Sequence, residues 1–404
     1  MSPITSPSTI LVTGGTGYLG AQVIATVLAR GHSVKAVVRS TEKGASLKYD
    51  LLKHINEEGG KKDSDDVAVE SVVIADIVKD GAFDEVILGV DAVVHVASPV
   101  PNPSLTDPQE TIQPAIDGTL GVLKSALRAR YLAPLTKHEP TLNYPLSSQR
   151  DSSYKLKRIV ITSSVAALWT PSPGARTFSE DDWNTQYVSE VERLGSKTDP
   201  MTVYGASKVM AEKAAWEFYN AHRSEVQWDI SVINPSLVFG PAIQPPKSAS
   251  DLPSTLKLWW DSVIEPSSKP DVMTLSIPNG WVDVRDIAEA HVRAMETAEA
   301  GGERIIVSEG TFFLNEWCEY RFIHERTKAY LNPFVVDLAN KAGAEFYPGR
   351  TFPEGTLETT KDELASEIYF NTAKEKRILG MKYRTKEETT RDTLRWAAER
   401  NLKL

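Results

Sequence analysis

Short apolar runs alternate with longer segments of helical period along the first part of the chain. The runs "TILVTG", "SVKAVV" and "DAVVHV" are rich in valine, and "YLGAQVIATVLARG" places apolar residues three and four positions apart. Runs with so little polar alternation are typical of strands that helices cover on both faces. The pattern therefore predicts a doubly wound α/β fold of the Rossmann type, with a mostly parallel sheet.

The pattern changes after Phe239. A stretch rich in proline and serine follows, "WVDVRDIAEAHVRAMETA" returns to helical period, and "RIIV" is typical of a further strand. We expect a dinucleotide-binding Rossmann domain over residues 1–235, with 281–300 returning to it. Residues 236–280 and 301–404 should mainly form a smaller mixed α/β lobe that binds substrate over the carboxyl edge of the sheet.

Composition narrows the classes of function. The formal net charge of -9 comes from interspersed charges without a long basic block, so nucleic acid is not an expected partner. Cys318 is the single cysteine, which excludes an intrachain disulfide and a cysteine-based zinc site, and we expect no metal. His95, within an apolar run, should be a core histidine. The sequence begins with neither a signal peptide nor an apolar span, which predicts a cytoplasmic protein with no membrane segment.

The stretch "TGGTGYLG", Thr13–Gly20, follows the first predicted strand and opens the first predicted helix. Glycine permits a tight turn and lets backbone approach a pyrophosphate, whose charge the free N–H groups of a helix N-terminus attract. A glycine-rich turn that binds nothing is the alternative. We expect the turn to hold a dinucleotide through Gly14, Thr16, Gly17, Tyr18, Leu19 and Gly20.

The residues after the second and third strands indicate which dinucleotide binds. A carboxylate after the second strand is typical of NAD sites, whereas a basic residue there accommodates the 2′-phosphate of NADP. This chain has Arg39 at that point and Lys43 beyond it, so we expect NADPH, with NAD the less favoured cofactor. Each charge could instead be a solvated surface group. Asp76 and Ile77, at the end of the third strand, should meet the adenine, unless Asp76 is a plain surface carboxylate.

Tyr204 and Lys208 lie four residues apart in a segment of helical period, which places both side chains on one helix face. An ammonium group beside a phenol should lower the pKa of the tyrosine toward a working pH and suit it to proton transfer. Many surface helices carry this spacing. Here the strand in "RIVITSS" also releases Ser163 and Ser164 into the same predicted cleft, where Ser164 can donate to the substrate oxygen or merely cap the strand end.

These motifs together resemble the extended short-chain dehydrogenases/reductases, in particular the group of dihydroflavonol reductases, cinnamoyl-CoA reductases and fungal aldehyde or ketone reductases. The motifs are "TGGTGYLG", "VRS", "HVASP", "TSSVAA", "YGASK", "NPSLVFGP", "WVDVRDIAEAH" and "IIVSEG". The resemblance implies that Ser164 orients a carbonyl, Tyr204 protonates it, and Lys208 binds the nicotinamide ribose. It also implies further cofactor contacts from Ala97, Ser98, Thr162, Pro235, Leu237 and Val238.

The predicted function is that of an NADPH-dependent carbonyl reductase acting on a hydrophobic aldehyde or ketone. An epimerase, dehydratase or 3β-hydroxysteroid dehydrogenase-type enzyme on the same scaffold is the alternative enzyme. A non-catalytic NAD(P)-sensing regulator is the alternative of another class. Trp259 and Trp260 should either line the cleft or fill the core of the lobe. We expect a monomer or a homodimer, whose two-fold contact the polar insertion at 131–157 could block.

Overall fold

A computed structural model describes residues 3–57, 59, 67–99, 104, 106–132, 154–170, 174–246, 248–264, 279–312, 338–350 and 368–402. Most of the insertion at 131–157 and Cys318 lie outside the described residues. So does Val100, which directly follows the "HVASP" motif and is expected from its sequence position to lie in the cleft wall. Within these ranges, no helix combines the length and the apolar character needed to cross a membrane.

A parallel sheet of seven strands forms the centre of the described structure, in the order β3-β2-β1-β4-β5-β7-β10. The strands are β1 Thr9–Thr13, β2 Ser33–Val38, β3 Val69–Val73, β4 Ala92–His95, β5 Arg158–Thr162, β6 Arg176–Phe178, β7 Asp229–Pro235, β8 Leu237–Phe239, β9 Asn279–Asp283, β10 Arg304–Val307, β11 Gly310–Phe312 and β12 Ile368–Phe370. The strand order reverses between β1 and β4, and the crevice at such a reversal is where doubly wound folds bind ligands. The expected Rossmann architecture is confirmed.

Helices cover both faces of this sheet. The helices of the described residues are α1 Tyr18–Ala29, α2 Thr41–Glu57, α3 Gln109–Leu132, α4 Thr185–Leu194, α5 Pro200–His222, α6 Ser254–Trp259, α7 Val284–Glu296, α8 Leu338–Phe346, α9 Ala373–Ile378 and α10 Lys386–Glu399. Along β1, Ile10 and Val12 pack with α1 and α7, whereas Leu11 joins the opposite core beside α3 and α5. This double burial explains why the strands are apolar without alternation.

A second core lies in the C-terminal part of the chain. The three-stranded sheet of β8, β9 and β11 packs with α6, α8 and α10 around the buried side chains of Trp259, Trp260 and Trp281. Of the two roles considered for Trp259 and Trp260, the core of the lobe is therefore the observed one.

One strand from the range that was assigned mainly to the lobe joins the large sheet. β10, Arg304–Val307, lies in the range 301–404 that was assigned mainly to the lobe, but it pairs with β7 as the last strand of the large sheet. Its four residues are buried: Ile305 and Val307 pack in the core with α7 and α9, and Ile306 packs with Val165 and Leu168. A short apolar strand carries no local sign of which sheet it joins, so only its pairing assigns it.

Candidate active site

The glycine turn connects β1 to α1 in a geometry that side chains would obstruct. Gly14 has φ +68°, and a Cβ there would lie 2.9 Å from the backbone nitrogen of Ala97. A Cβ on Gly20 would come within 2.0 Å of the Gly14 carbonyl oxygen. The helix has no side-chain cap and no acidic residue in its first turn. The N–H groups of Tyr18, Leu19 and Gly20 therefore remain available to an anion, and the cradle fits a dinucleotide pyrophosphate.

Thr13, the last residue of β1, holds the end of β4 against this turn. Its hydroxyl accepts hydrogen bonds from the N–H groups of Val96 and Ala97, both at 3.1 Å, and donates to His95 Nδ1 at 2.9 Å. His95 is buried, as expected of a core histidine, and burial together with the charge of Lys208 lowers its pKa to about 4. Thr13 thus fixes the floor of the crevice, a role that the sequence motifs did not reveal.

The two basic residues expected at the 2′-phosphate lie at the carboxyl end of β2. Arg39 directly follows the strand, is exposed, and forms no ion pair with any described residue. Lys43 is exposed in the first turn of α2, where its N–H donates to Ser40 Oγ at 3.4 Å. Because β2 is the neighbour of β1 in the sheet, both cations lie on the glycine-turn side of the crevice.

The third strand ends earlier than the sequence pattern suggested. β3 stops at Val73, so Asp76 lies in the following turn, where its Oδ1 accepts from the Val78 N–H at 3.0 Å. The side chain of Ile77 faces α3, since a Cβ on Gly118 would lie 3.3 Å from its Cδ1. Asp76 thus has a turn-capping role in the described structure, and its expected adenine contact stays a prediction.

Ser164, Tyr204 and Lys208 come together at the carboxyl edge of the sheet. Ser164 caps a 3₁₀ turn after β5, and its Oγ accepts from the Ala166 N–H at 3.1 Å. Tyr204 and Lys208 project from the first half of α5, with Lys208 Nζ 5.7 Å from the centroid of the Tyr204 ring. Lys208 is only 6% exposed and donates to Ser98 Oγ at 3.0 Å. The lysine thereby connects α5 to the end of the "HVASP" segment, across the crevice.

Lys208 was expected to lower the pKa of Tyr204, but in this structure that pKa is raised. Burial raises the pKa of Tyr204 above its ordinary value, and a side-chain hydrogen bond with Ser164 opposes the rise without cancelling it. Burial also lowers the pKa of Lys208 to about 8, against the opposing charge of Glu212. The expectation rested on spacing alone, whereas both groups lose hydration and the ammonium is directed at Ser98.

The remaining predicted cofactor residues lie at or near the same edge. Pro235 is the last residue of β7, and Leu237 and Val238 are in β8. The hydroxyl of Thr162 is directed away from the crevice, because it hydrogen-bonds His291 Nε2 on α7 at 2.8 Å. His291 Nδ1 lies 2.7 Å from the Ile287 carbonyl oxygen and donates to it, which leaves Nε2 as the acceptor for Thr162.

The side chain of Tyr18 also serves a contact that the motif did not predict. Its hydroxyl donates to the Gly240 carbonyl oxygen at 2.6 Å and so joins the start of α1 to the segment after β8. Burial raises the pKa of Tyr18 well above its ordinary value, and the nearby Asp283 carboxylate raises it further. A cofactor contact from Tyr18 would therefore come from its backbone.

Glu212 and Asn234 are buried beside the Ser-Tyr-Lys set and were missed by the sequence analysis. The Glu212 carboxylate accepts from Ser163 Oγ at 2.6 Å and from Asn234 Nδ2 at 2.9 Å, and it pairs with Arg304. The signal for Glu212 was present in the sequence: it continues the four-residue spacing of Tyr204 and Lys208 by one more turn.

The fold and this crevice define a dinucleotide-binding α/β protein. Residues 10–308 match the NAD dependent epimerase/dehydratase family. The chain therefore belongs to this family, the extended short-chain dehydrogenases/reductases, which confirms the resemblance that the motifs indicated.

Relatives cover nearly the whole chain. Ketoreductase azaE from Aspergillus niger is 30% identical over 380 residues, or 93% of each chain. Cinnamoyl-CoA reductase CAD2 from Medicago truncatula is 30% identical over 377 residues, or 90% of this chain and 98% of that one. The crystal structure of Gre2 from Candida albicans in complex with NADPH superposes with a TM-score of 0.69 at 26% identity, covering 98% of this chain and 99% of the other.

Proposed function

We propose that this protein is an NADPH-dependent carbonyl reductase that transfers hydride to a hydrophobic aldehyde or ketone. The observation that carries the proposal is the meeting of the glycine turn and the Ser164, Tyr204 and Lys208 set at one crevice of the sheet. The ketoreductase and cinnamoyl-CoA reductase relatives support a reductase, and the NADPH complex of Gre2 supports the cofactor.

Three parts of the crevice would hold NADPH. The first-turn N–H groups of α1 would bind the pyrophosphate, because Gly14 and Gly20 leave room for it and the helix dipole attracts its charge. The guanidinium group of Arg39, free of any described ion pair, would bind the 2′-phosphate with support from Lys43. The rest of the dinucleotide would lie along the ends of β4 and β7.

The residues of α5 supply the proton. Bound NADPH supplies the hydride, while Tyr204 donates its phenolic proton to the carbonyl oxygen. Burial raises the pKa of Tyr204 in the free protein, which keeps the phenol protonated but makes it a weaker acid, so the transfer needs a group that stabilises the phenolate. Ser164 Oγ donates to the same carbonyl oxygen, and the Lys208 ammonium stabilises the phenolate that the transfer leaves on Tyr204.

The apolar character of the substrate rests on the surroundings of Ser164. Val165 and Leu168 are buried directly after it, with Trp169 and Phe370 packed against them. Of these side chains, Trp169 and Phe370 retain exposed surface, and aromatic surface of this kind suits a hydrophobic carbonyl compound better than a charged one. Trp259 and Trp260 do not contribute to this reasoning, since both belong to the core of the lobe.

The match to the epimerase/dehydratase family favours one alternative, an epimerase or dehydratase on the same scaffold. Such an enzyme regenerates its NAD within each cycle and would retain it on purification, whereas a reductase releases the oxidised cofactor. A regulator that only senses NAD(P) would have no use for Tyr204 beside Lys208, so this chain disfavours that function.

We also propose a cytoplasmic location and a monomer or homodimer. The single cysteine of the chain supports a reducing compartment. All three residues of the Ser-Tyr-Lys set come from one chain, so the chemistry needs no second copy. Apart from β10, we retain the proposed division into a dinucleotide-binding domain and a substrate-binding lobe.

The test is a cofactor oxidation assay with NADPH and, separately, NADH against a panel of hydrophobic aldehydes and ketones. Oxidation of NADPH in preference to NADH is expected, and Arg39→Ala should reduce kcat/KM with NADPH by about 10- to 100-fold, since a charged hydrogen bond contributes about 1.5 to 3 kcal/mol. Lys53→Ala, which removes an exposed cation from the far end of α2, should leave the preference unchanged. No oxidation with either cofactor, despite measured binding, would contradict the proposal.

A further inference from the structure

Glu212 is a buried acid one helical turn beyond Lys208. Tyr204, Lys208 and Glu212 succeed one another at four-residue spacing on α5, so the three side chains form one stripe along the helix. Glu212 is only 2% exposed. A carboxylate withdrawn from water to this extent is stable only where donors replace its hydration, and its environment is therefore informative.

Donors reach Glu212 from β7, from β10 and from the residue after β5, and Trp216 Nε1 on α5 itself donates to Oε1 at 3.4 Å. Ser163, directly after β5, donates to Oε2 at 2.6 Å, and Asn234 of β7 donates to the same oxygen at 2.9 Å. Arg304 of β10 pairs with Oε1 at 2.5 Å. The Asn234 amide donates in addition to the Ser164 carbonyl oxygen at 3.2 Å. The carboxylate therefore connects the helix that carries Lys208 to the backbone that carries Ser164.

The charge of Glu212 acts on Lys208 as well. Burial lowers the pKa of Lys208 to about 8, and the Glu212 carboxylate opposes this fall. Tyr204 is the other titratable neighbour of Lys208 on α5, and from β4 the buried His95 shares an electrostatic interaction with it. Arg304 is the charged group that faces Glu212 from β10. Near neutral pH, the charge of Lys208 thus depends on a balance that includes Glu212.

We propose that Glu212 is a positioning residue for carbonyl reduction, which keeps the Lys208 ammonium charged and holds the Ser164 segment in place against α5. The inference rests on the proposed function, because Lys208 and Ser164 are its reactive neighbours. Glu212 acts through these residues and does not itself need to touch substrate or cofactor.

The first experiment measures the protonation of Lys208 in the cofactor-free protein. Acetic anhydride modifies only neutral amines, so the rate of Lys208 acetylation against pH, followed by mass spectrometry, gives the midpoint of its titration. In Glu212→Gln, which keeps the shape of the side chain and removes its charge, the midpoint should fall by about one pH unit. An unchanged midpoint would overturn the proposal.

The second experiment is the pH profile of kcat for NADPH-dependent reduction. If charged Lys208 is needed, activity is lost as pH rises through the titration of Lys208, and Glu212→Gln should lose activity at a pH about one unit lower than the wild type. Asp229→Asn breaks a comparably buried ion pair, with Arg158, and serves as the matched control with an unshifted profile. Equal shifts in both variants would show a merely structural role and reject the proposal.

Glu212→Gln leaves Arg304 buried without its counter-charge and could fail to fold. The double variant Glu212→Gln with Arg304→Met removes both charges and should show the same lowered midpoint for Lys208. A wild-type midpoint in the double variant would reject the proposal. The labelling experiment needs no turnover. A wild type that reduces no carbonyl would therefore contradict the proposed function, while the effect of Glu212 on Lys208 could still be measured.

Discussion

Two buried arginine–carboxylate pairs lie on the same sheet in different surroundings. Arg158 and Asp229 face each other in register at the first residues of β5 and β7, with Arg158 Nε 2.6 Å from Asp229 Oδ1. Arg304 and Glu212 form an ion pair beside Asn234, near the carboxyl end of β7. Both pairs are almost inaccessible to water, so burial alone does not distinguish them.

Their further hydrogen bonds do distinguish them. Arg158 also donates to the Ala294 carbonyl oxygen at 2.8 Å and to that of Ala298 at 3.2 Å, and so stabilises the C-terminal end of α7. Glu212 instead accepts from Ser163 and Asn234, beside Ser164 and Lys208. The buried charge at the amino edge of the sheet therefore holds the end of α7, whereas the one at the carboxyl edge connects residues of the proposed site.

The carboxyl edge also carries polar atoms that remain unpaired. Nε2 of His95 and Oδ1 of Asn234 are buried and have no hydrogen-bond partner among the described residues. Each such group costs about 1 to 3 kcal/mol relative to a paired one. The feature is not confined to this edge, since Trp228 Nε1 and Ser231 Oγ are also buried without a described hydrogen-bond partner.

The largest expected effect belongs to the carboxyl edge. Tyr204→Phe should lower kcat by about 10²- to 10⁴-fold, because the carbonyl oxygen then loses its proton donor. Binding of NADPH, measured by fluorescence titration, should change little. Tyr187→Phe is the matched control, since this neighbouring tyrosine packs its ring against Gly205 on α5. Wild-type turnover by Tyr204→Phe would show that Tyr204 is not the proton donor and would contradict the proposed active site at the carboxyl edge.

The next effect belongs to the amino edge. Asp229→Asn leaves Arg158 buried without its counter-charge and should lower the free energy of unfolding by about 3 to 5 kcal/mol. Chemical denaturation measures this loss. At temperatures where the variant is folded, its kcat should match that of the wild type. A fall in kcat comparable to that of Tyr204→Phe would mean that the two edges do not have separate roles.

The smallest expected effect is a loss of folding stability at acidic pH. Burial lowers the pKa of both His95 and His291 to about 4, whereas an unfolded histidine titrates near 6.5. The unfolded chain therefore binds more protons between these values, and stability is lost as pH falls from about 6.5 through about 4. Each histidine should remove about 2 kcal/mol from the free energy of unfolding between pH 7 and pH 5.

His95→Asn tests this effect, because the asparagine oxygen can still accept from Thr13 while the side chain no longer titrates. Denaturant unfolding of the variant should depend less on pH than that of the wild type, by about 2 kcal/mol between pH 7 and pH 5. The same pH dependence in both proteins would show that His95 is not protonated on unfolding.

Much of the fold was predictable because its signals are local. Apolar runs and helical periods predicted strands β1 to β5 and helices α1 and α5, but not β6 or α4, and the glycines predicted the turn between β1 and α1. The sheet partner of β10 was not predictable, since a short apolar strand can join either sheet. The core role of Trp259 and Trp260 likewise depended on packing with α8 and α10, far along the chain.

Tyr204, Lys208 and Glu212 owe their four-residue spacing on one helix and their order after the glycine turn to the sequence alone. How these groups ionise and which partners they meet depends on the tertiary structure. Burial reversed the expected direction of the pKa of Tyr204, and donors reach Glu212 from β7, from β10 and from the residue after β5. The reason is physical: helical spacing is a local property, whereas hydration and electrostatic interactions depend on every element that packs around a group.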